Sequence, residues 1–372
     1  MSKRLVSTLI VGCALLTVPP AASPALAQAA VKIGLIAPTK SLVGTQLIQG
    51  AQVAVDMVNA AGGILGGRKI QLVEYDTAFQ PNEGVAAAQR LINQDGVKVI
   101  AGEISSTVAL AVLQVARASG SLFVAAVPKH PDVTKSGYDR VFRLNSTTAM
   151  DAEFNDVLKN EIKPQKVAVI AENSDFGRLT IDNMKALFGS QVVLAETYEM
   201  NQSDFSTLVT KTKASGADLI CIAGSNMEQY GSILRMQQEL KVPGRRCLMP
   251  GILNSKGVEV AGAGAEGALS ADIYVPSMPG DLNRTFVEAF QARFRHAPEK
   301  IEVLGFESIW LVAQAMTKAA TADDAGKISD VLRANTWTTP RGDVKFDAGG
   351  QASSGSLVRL VVKDGVIVPE RR

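Results

Sequence analysis

The chain has 372 residues, 47% of them hydrophobic and 20% charged, which describes a soluble globular protein with room for two domains of ordinary size. Lys and Arg total 38 against 36 Asp and Glu, so no basic patch suited to nucleic acid is indicated. Two histidines and three cysteines make neither a disulfide scaffold nor a zinc cluster, and beyond the first 27 residues no apolar run reaches membrane-spanning length.

The chain opens with the basic "MSKR", continues through the apolar "LVSTLIVGCALLTV" and reaches the small-x-small triplet Ala25-Leu26-Ala27. This is the pattern of a secretory signal peptide over residues 1–27, cleaved before Gln28. "IVGC" also resembles a lipobox that would lipidate Cys13, but the apolar run continuing past Cys13 argues against it. From Val31 strands and helices alternate. "VKIGLIAP" reads as a buried strand, "LIQGAQVAVDMVNAAGG" as an amphipathic helix, "KIQLVEYDT" as a strand and "PNEGVAAAQRLINQDG" as a helix opened by proline. "VKVIAGE" is a strand leading to a helix headed by Ser105, Ser106 and Thr107, and "SLFVAAV" is a further strand. The pattern restarts near residues 140–151, with strands at "KVAVIAEN", "QVVLAETYEM", "ADLICIAGS" and "RRCLMPG" and helices between them. Three helices follow "GALSADIYVPS", and a hairpin turning at Asp364-Gly365 closes the chain. Apolar strands alternating with helices predict α/β architecture with parallel sheets covered on both faces, here in two lobes. Cys221 and Cys247 fall near the ends of two consecutive strands. A disulfide there is compatible with an oxidising compartment, while its demanding geometry favours buried free thiols.

Few chemistries survive inspection. A nucleophile at Ser105 needs a base, and no Gly-x-Ser-x-Gly elbow surrounds any serine. Ligand-spaced metal motifs are absent, and no cofactor is expected. "GAGAEG" at 262–267 matches G-x-G-x-x-G, but it follows a predicted helix and precedes a predicted strand. A dinucleotide fingerprint requires the opposite order, so the stretch reads as a loop. The hydroxyls at 105–107 would be an ordinary helix cap in most proteins. At the carboxyl end of a strand in an open α/β sheet, however, ligands bind, and a helix N-terminus offers free N–H groups and a favourable field to an anion. Together they read as a carboxylate seat.

The ordered set "VKIGLIAP", "QGAQVAVDMVNAAGGILGGRKIQLVEYDTAFQP", "GEISSTVALAV", "KVAVIAENSDFGR", "DFSTLVTKTKASGADLICIAG" and "TPRGDVKFDAGG" resembles the type I periplasmic solute-binding proteins of ABC importers, leucine/isoleucine/valine-binding branch. The resemblance spans residues 31 to 362. It implies two Rossmann-like lobes, 31–147 plus 278–338 and 148–277 plus 339–372, joined by crossings near 143–150, 275–280 and 338–343. It further implies a ligand cleft between the lobes. Carried over by position, Ser105 takes the carboxylate serine, with Ser106 and Thr107 adjacent, and the Val127 backbone makes the next contact. Lys129 stands where a hydroxyl is usual, and Phe176 where an aromatic stacks on the ligand. Ser225 falls where a second aromatic is common, and Val43 replaces an aromatic in a shortened loop. The acid that would hold the ligand's ammonium is absent from "MPGILN", where Gly251 or Ile252 takes its place.

Each of these residues has a plainer role open to it. Phe176 suits packing, Lys129 suits a solvated rim, and Glu103 is open to three roles: meeting an ammonium, pairing with Lys129 or facing solvent. The resulting expectation is a monomeric, non-enzymatic protein of the periplasm that captures a small carboxylate and passes it to ABC permease subunits. The ligand is a branched-chain or related amino acid, or an aromatic or aliphatic acid without an amine. A ligand sensor read by a membrane partner is the reading from another class.

Overall fold

The computed structural model describes residues 29–353, 355 and 357–370; the expected leader and Cys13 lie outside them. The first half runs β1 (Val31–Ala37), α1 (Leu42–Ala60), β2 (Ile70–Asp76), α2 (Pro81–Asn93), β3 (Val99–Gly102), α3 (Ser106–Ser119), β4 (Leu122–Ala125) and β5 (Val141–Arg143). These strands form a five-stranded parallel sheet in the order β2-β1-β3-β4-β5. Every residue of β3 and β4 is buried, which is why both strands read as unbroken apolar runs rather than as alternation.

After the short α4 (Ala152–Asp156) the plan repeats. It comprises β6 (Val167–Glu172), α5 (Asp175–Phe188), β7 (Val192–Tyr198), α6 (Ser206–Ser215), β8 (Leu219–Ala223), α7 (Met227–Glu239), β9 (Arg245–Leu248), α8 (Ser255–Ala261) and β10 (Leu269–Asp272). "GAGAEG" falls between α8 and β10 as a 3-10 turn over Gly262–Ala265 and the residues after it, in the reversed order expected. Helices α9 (Asp281–Phe294), α10 (Lys300–Ala319) and α11 (Ala325–Ala334) then lead to a hairpin of β11 (Thr336–Thr339) and β12 (Gly342–Lys345). The closing hairpin of β13 (Val358–Lys363) and β14 (Val366–Pro369) turns at Asp364-Gly365, as predicted, and extends the second sheet to β14-β13-β10-β9-β8-β6-β7.

Helix α10 returns to pack on α1, and α11 packs on α10. The chain also stays against the first sheet past the expected crossing at 338–343. Phe346 meets Phe142 of β5 edge-on at 4.9 Å, and the Ala352 N–H donates to the Arg143 carbonyl at 2.9 Å. Burying that aromatic pair holds the segment there. Cys221 and Cys247 are paired in register on β8 and β9 as buried free thiols with Sγ atoms 3.1 Å apart.

Glu103 is corrected by its geometry. Sitting at positive φ just after β3, it is fully buried, and its Oε1 accepts the Ser105 N–H at 2.9 Å. It therefore faces inward to brace the start of α3 and neither pairs with Lys129 nor faces solvent. Its carboxyl is raised to about 7, chiefly by burial.

Two consequences are measurable. Gly50 of α1 and Gly305 of α10 let the two helices touch backbone to backbone, and a Cβ at Gly50 would collide with the Glu302 carbonyl. Gly50→Ala should cost about 2 kcal/mol through overpacking, read as a fall of several degrees in the thermal midpoint. For Glu103 the folded state holds the proton more tightly than the unfolded chain, so stability falls as pH rises from the ordinary carboxylate value toward about 7. Glu103→Gln should flatten that part of the thermal-midpoint profile; an unchanged slope would mean that Glu103 does not titrate there.

Candidate functional site: a cleft between the carboxyl ends of two sheets

In both sheets the strand order reverses beside the first strand of the unit, between β1 and β3 and between β6 and β8. Open α/β sheets bind ligands outside the carboxyl ends of strands at that point. The two ends face each other here, and a cavity of 770 Å³ lies between them. Ser106, Val127 and Lys129 line it from the first sheet, and Phe176, Ser225 and Ile252 from the second. Six of the residues expected from the sequence thus share one cavity, contributed by segments up to 146 positions apart in the chain (252 − 106).

Ser105 and Thr107 do not line it. Ser105 is the buried N-cap of α3, its Oγ accepting from the Val108 N–H at 3.5 Å. Ser106 is the hydroxyl that faces the cavity. Its Oγ accepts from the N–H groups of Lys129 and His130, both at 3.2 Å, which leaves its own proton free to donate. The N–H groups of Ser106 and Thr107 open α3 and have no acceptor within the helix. Thr107 instead reaches across the cleft, its Oγ1 accepting the Asp175 N–H at 3.1 Å. The N-termini of α3 and α5 therefore meet at the cleft, and their dipoles add to a positive field. The Val127 N–H is spent on the Glu103 carbonyl, and the Val127 carbonyl on Asn145 Nδ2, so Val127 offers the cavity its side chain.

Lys129 is buried, and its Nζ is bonded to both oxygens of Asp151, at 2.7 and 2.8 Å, and to the Pro250 carbonyl at 2.9 Å. It is neither a solvated rim residue nor a free cation. Burial raises the Asp151 carboxyl, and the adjacent Lys129 opposes that rise. Ser225 is similarly engaged, donating from N and Oγ to the buried Glu172, which also accepts from Ser174 Oγ at 2.7 Å. Phe176, in the first turn of α5, is buried with its ring at the cavity wall. Ile252 adds apolar surface where the resemblance leads one to look for an acid.

The sequence reading missed a set of buried charges. Lys300, at the start of α10, donates to the Gly251 carbonyl, and Asp272, at the end of β10, lines the cavity with Oδ1 accepting the Ile273 N–H at 2.7 Å. Desolvation lowers the Lys300 ammonium and raises the Asp272 carboxyl, and each charge partly offsets the other's shift. Glu172 and Asp272 had a signal: each is an acid closing an apolar strand, in "VAVIAE" and "LSAD". Asp151 and Lys300 had none, because only the fold brings them to Lys129 and Gly251.

Comparison with known proteins agrees with this geometry. Residues 30–365 match the family described as Periplasmic binding protein. Leu/Ile/Val-binding protein homolog 3 of Brucella melitensis biotype 1 is 30% identical over 356 residues, covering 92% of this chain and 94% of that protein. An amino acid binding protein of Pseudomonas aeruginosa is 30% identical over 367 residues, covering 96% of each. Among solved structures, a branched-chain amino acid transporter substrate binding protein of Streptococcus pneumoniae, in complex with isoleucine, aligns with a TM-score of 0.83. It is 22% identical and covers 91% of this chain and 97% of its own. A solute binding protein of an ABC transporter from R. palustris, in complex with benzoate, aligns with a TM-score of 0.81 at 19% identity, covering 91% and 95%. These two likenesses show the shared two-lobed fold. The chain therefore belongs to the type I periplasmic binding proteins of the branched-chain amino acid family, the substrate-binding proteins of ABC transporters.

Proposed function

We propose that this protein captures a small carboxylate-bearing solute in the periplasm, as a monomer, and delivers it to membrane permease subunits without making or breaking a bond. The carboxylate class includes the branched-chain amino acids for which its relatives are named and the benzoate of one structural neighbour. The two lobes in this reading are 31–147 plus 278–338, with 339–352 carried on its edge, and 148–277 plus the closing hairpin. Residues 1–27 serve as the export signal.

The observation that carries the reading is the Ser106 hydroxyl beside the open N–H groups of α3, at the wall of a cavity whose other face is Phe176. An anion there receives the hydroxyl proton and the first-turn N–H groups, with the N-terminal fields of α3 and α5 superimposed. Phe176 and Val127 then cover the apolar body. Thr107 to Asp175 and Lys129 to Pro250 bind the two faces together, contacts that hinged closure would make and release.

Calorimetric titration with benzoate, 4-methylpentanoate and leucine, each beside its amide, tests the carboxylate reading. Acids should bind and amides should not, and Ser106→Ala should weaken the acids by roughly 10- to 100-fold, the worth of a hydrogen bond to a charged group. Amides binding as tightly as the acids would sink the reading.

A further inference from the structure

We infer that the cleft selects carboxylates that carry no α-ammonium group, because two lysines of the protein already occupy the backbone acceptors opposite the carboxylate seat. The inference rests on the carboxylate reading above and narrows its substrate class.

An ammonium enclosed in this cavity needs an acceptor of its own, since an unmatched buried charge costs several kcal/mol. The loop after β9 offers two consecutive carbonyls. Lys129 Nζ takes the Pro250 oxygen at 2.9 Å, and Lys300 Nζ takes the Gly251 oxygen. Lys300 is pressed so closely to this loop that a Cβ on Gly251 would lie 2.7 Å from its Nζ. The next side chain is Ile252, which accepts nothing. Both lysines come from the side of the cleft that holds the carboxylate seat, and both are buried. The protein thus places two ammonium groups of its own at that loop.

Among the described residues, three carboxylates line the cavity, and only Glu259 is paired with a cation. Glu259 is exposed at the mouth and pairs with Lys256 at 2.8 Å. Glu299 accepts the Ser255 N–H through both oxygens at 3.1 Å, and its carboxyl is raised to about 7 by burial and by the neighbouring Glu302. Asp272 gives one oxygen to Ile273 N–H and keeps the other unbonded at the cavity, in the field of Lys300 and then of Lys129. Asp151, just behind, is held by Lys129 through both oxygens. A ligand ammonium would meet two like charges and would have to share Asp272 with them, the loop carbonyls being taken. An acid without an amine makes no such demand, and it leaves Ile252 and Phe176 to apolar contact.

Matched pairs decide the matter: leucine against 4-methylpentanoate, and phenylalanine against 3-phenylpropanoate, titrated by calorimetry. In at least one pair the amine-free acid should bind more than tenfold tighter than its amino acid. Lys300→Met, which frees the Gly251 carbonyl, should narrow that ratio at least tenfold. Ile252→Glu, which adds an acceptor beside it, should do the same if Lys300→Met does not fold. Amino acids binding within tenfold of their amine-free partners, or tighter, would overturn the inference while leaving carboxylate capture intact. A ratio unmoved in the folded variants would overturn the role given to the lysines. Failure of every acid and amino acid to bind would remove the carboxylate reading and the inference with it.

Discussion

Lys129 lies buried between the two sheets, in a group of charged side chains with Asp151, Lys300 and Asp272. A buried ammonium is tolerated only when its counter-charge and remaining donors are all supplied. Asp151, in the segment between β5 and α4, and the Pro250 carbonyl, after β9, supply them. The arrangement of the two sheets and the neutrality of this point are therefore one requirement. If the cleft opens, the bond to Pro250 must be exchanged for water or ligand, and closing it must restore that bond.

The two units share one plan, and this explains why the site assembles. In each sheet the second strand lies outside the first and the third returns to its other side. The loops after β3 and β8, and after β4 and β9, thus occupy corresponding places. Ser105 caps α3 in one unit and Asn226 caps α7 in the other. Lys129 follows β4 on one side and bonds to Pro250, which follows β9 on the other. Corresponding loops meet face to face, and what differs between them determines what the cleft can recognise.

The fold was legible because fully buried strands and amphipathic helices write their periodicity into the chain, and because Asp364-Gly365 spells its hairpin turn. The cavity's residues were legible in part, since the position of a loop in an α/β unit can be read from the elements around it. What each side chain does there was less so. Ser106 rather than Ser105 faces the cavity because the helix must spend one hydroxyl on its own cap, and spacing alone does not say which. Glu103 turned inward because its positive φ aims it at the Ser105 N–H. The partners of Lys129 and Lys300 lie more than 20 and nearly 50 positions away, a relation that no local pattern encodes. The contact of Phe346 with Phe142, which keeps that stretch against the first sheet, joins residues 204 positions apart (346 − 142) and is written in no local pattern.

The glycine contact between α1 and α10 has a reach beyond packing. Gly305 sits against the Leu47 carbonyl, and the same two helices begin at the cavity, with Leu42 and Val43 on one and Lys300 on the other. The spacing of those two helix starts is thus set at a point outside the cavity lining. A lineage could resize its recognition site by exchanging a small residue for a larger one at that crossing and leave every wall residue unchanged. Changes in cargo between related transport proteins need not appear, therefore, among the residues that contact the cargo.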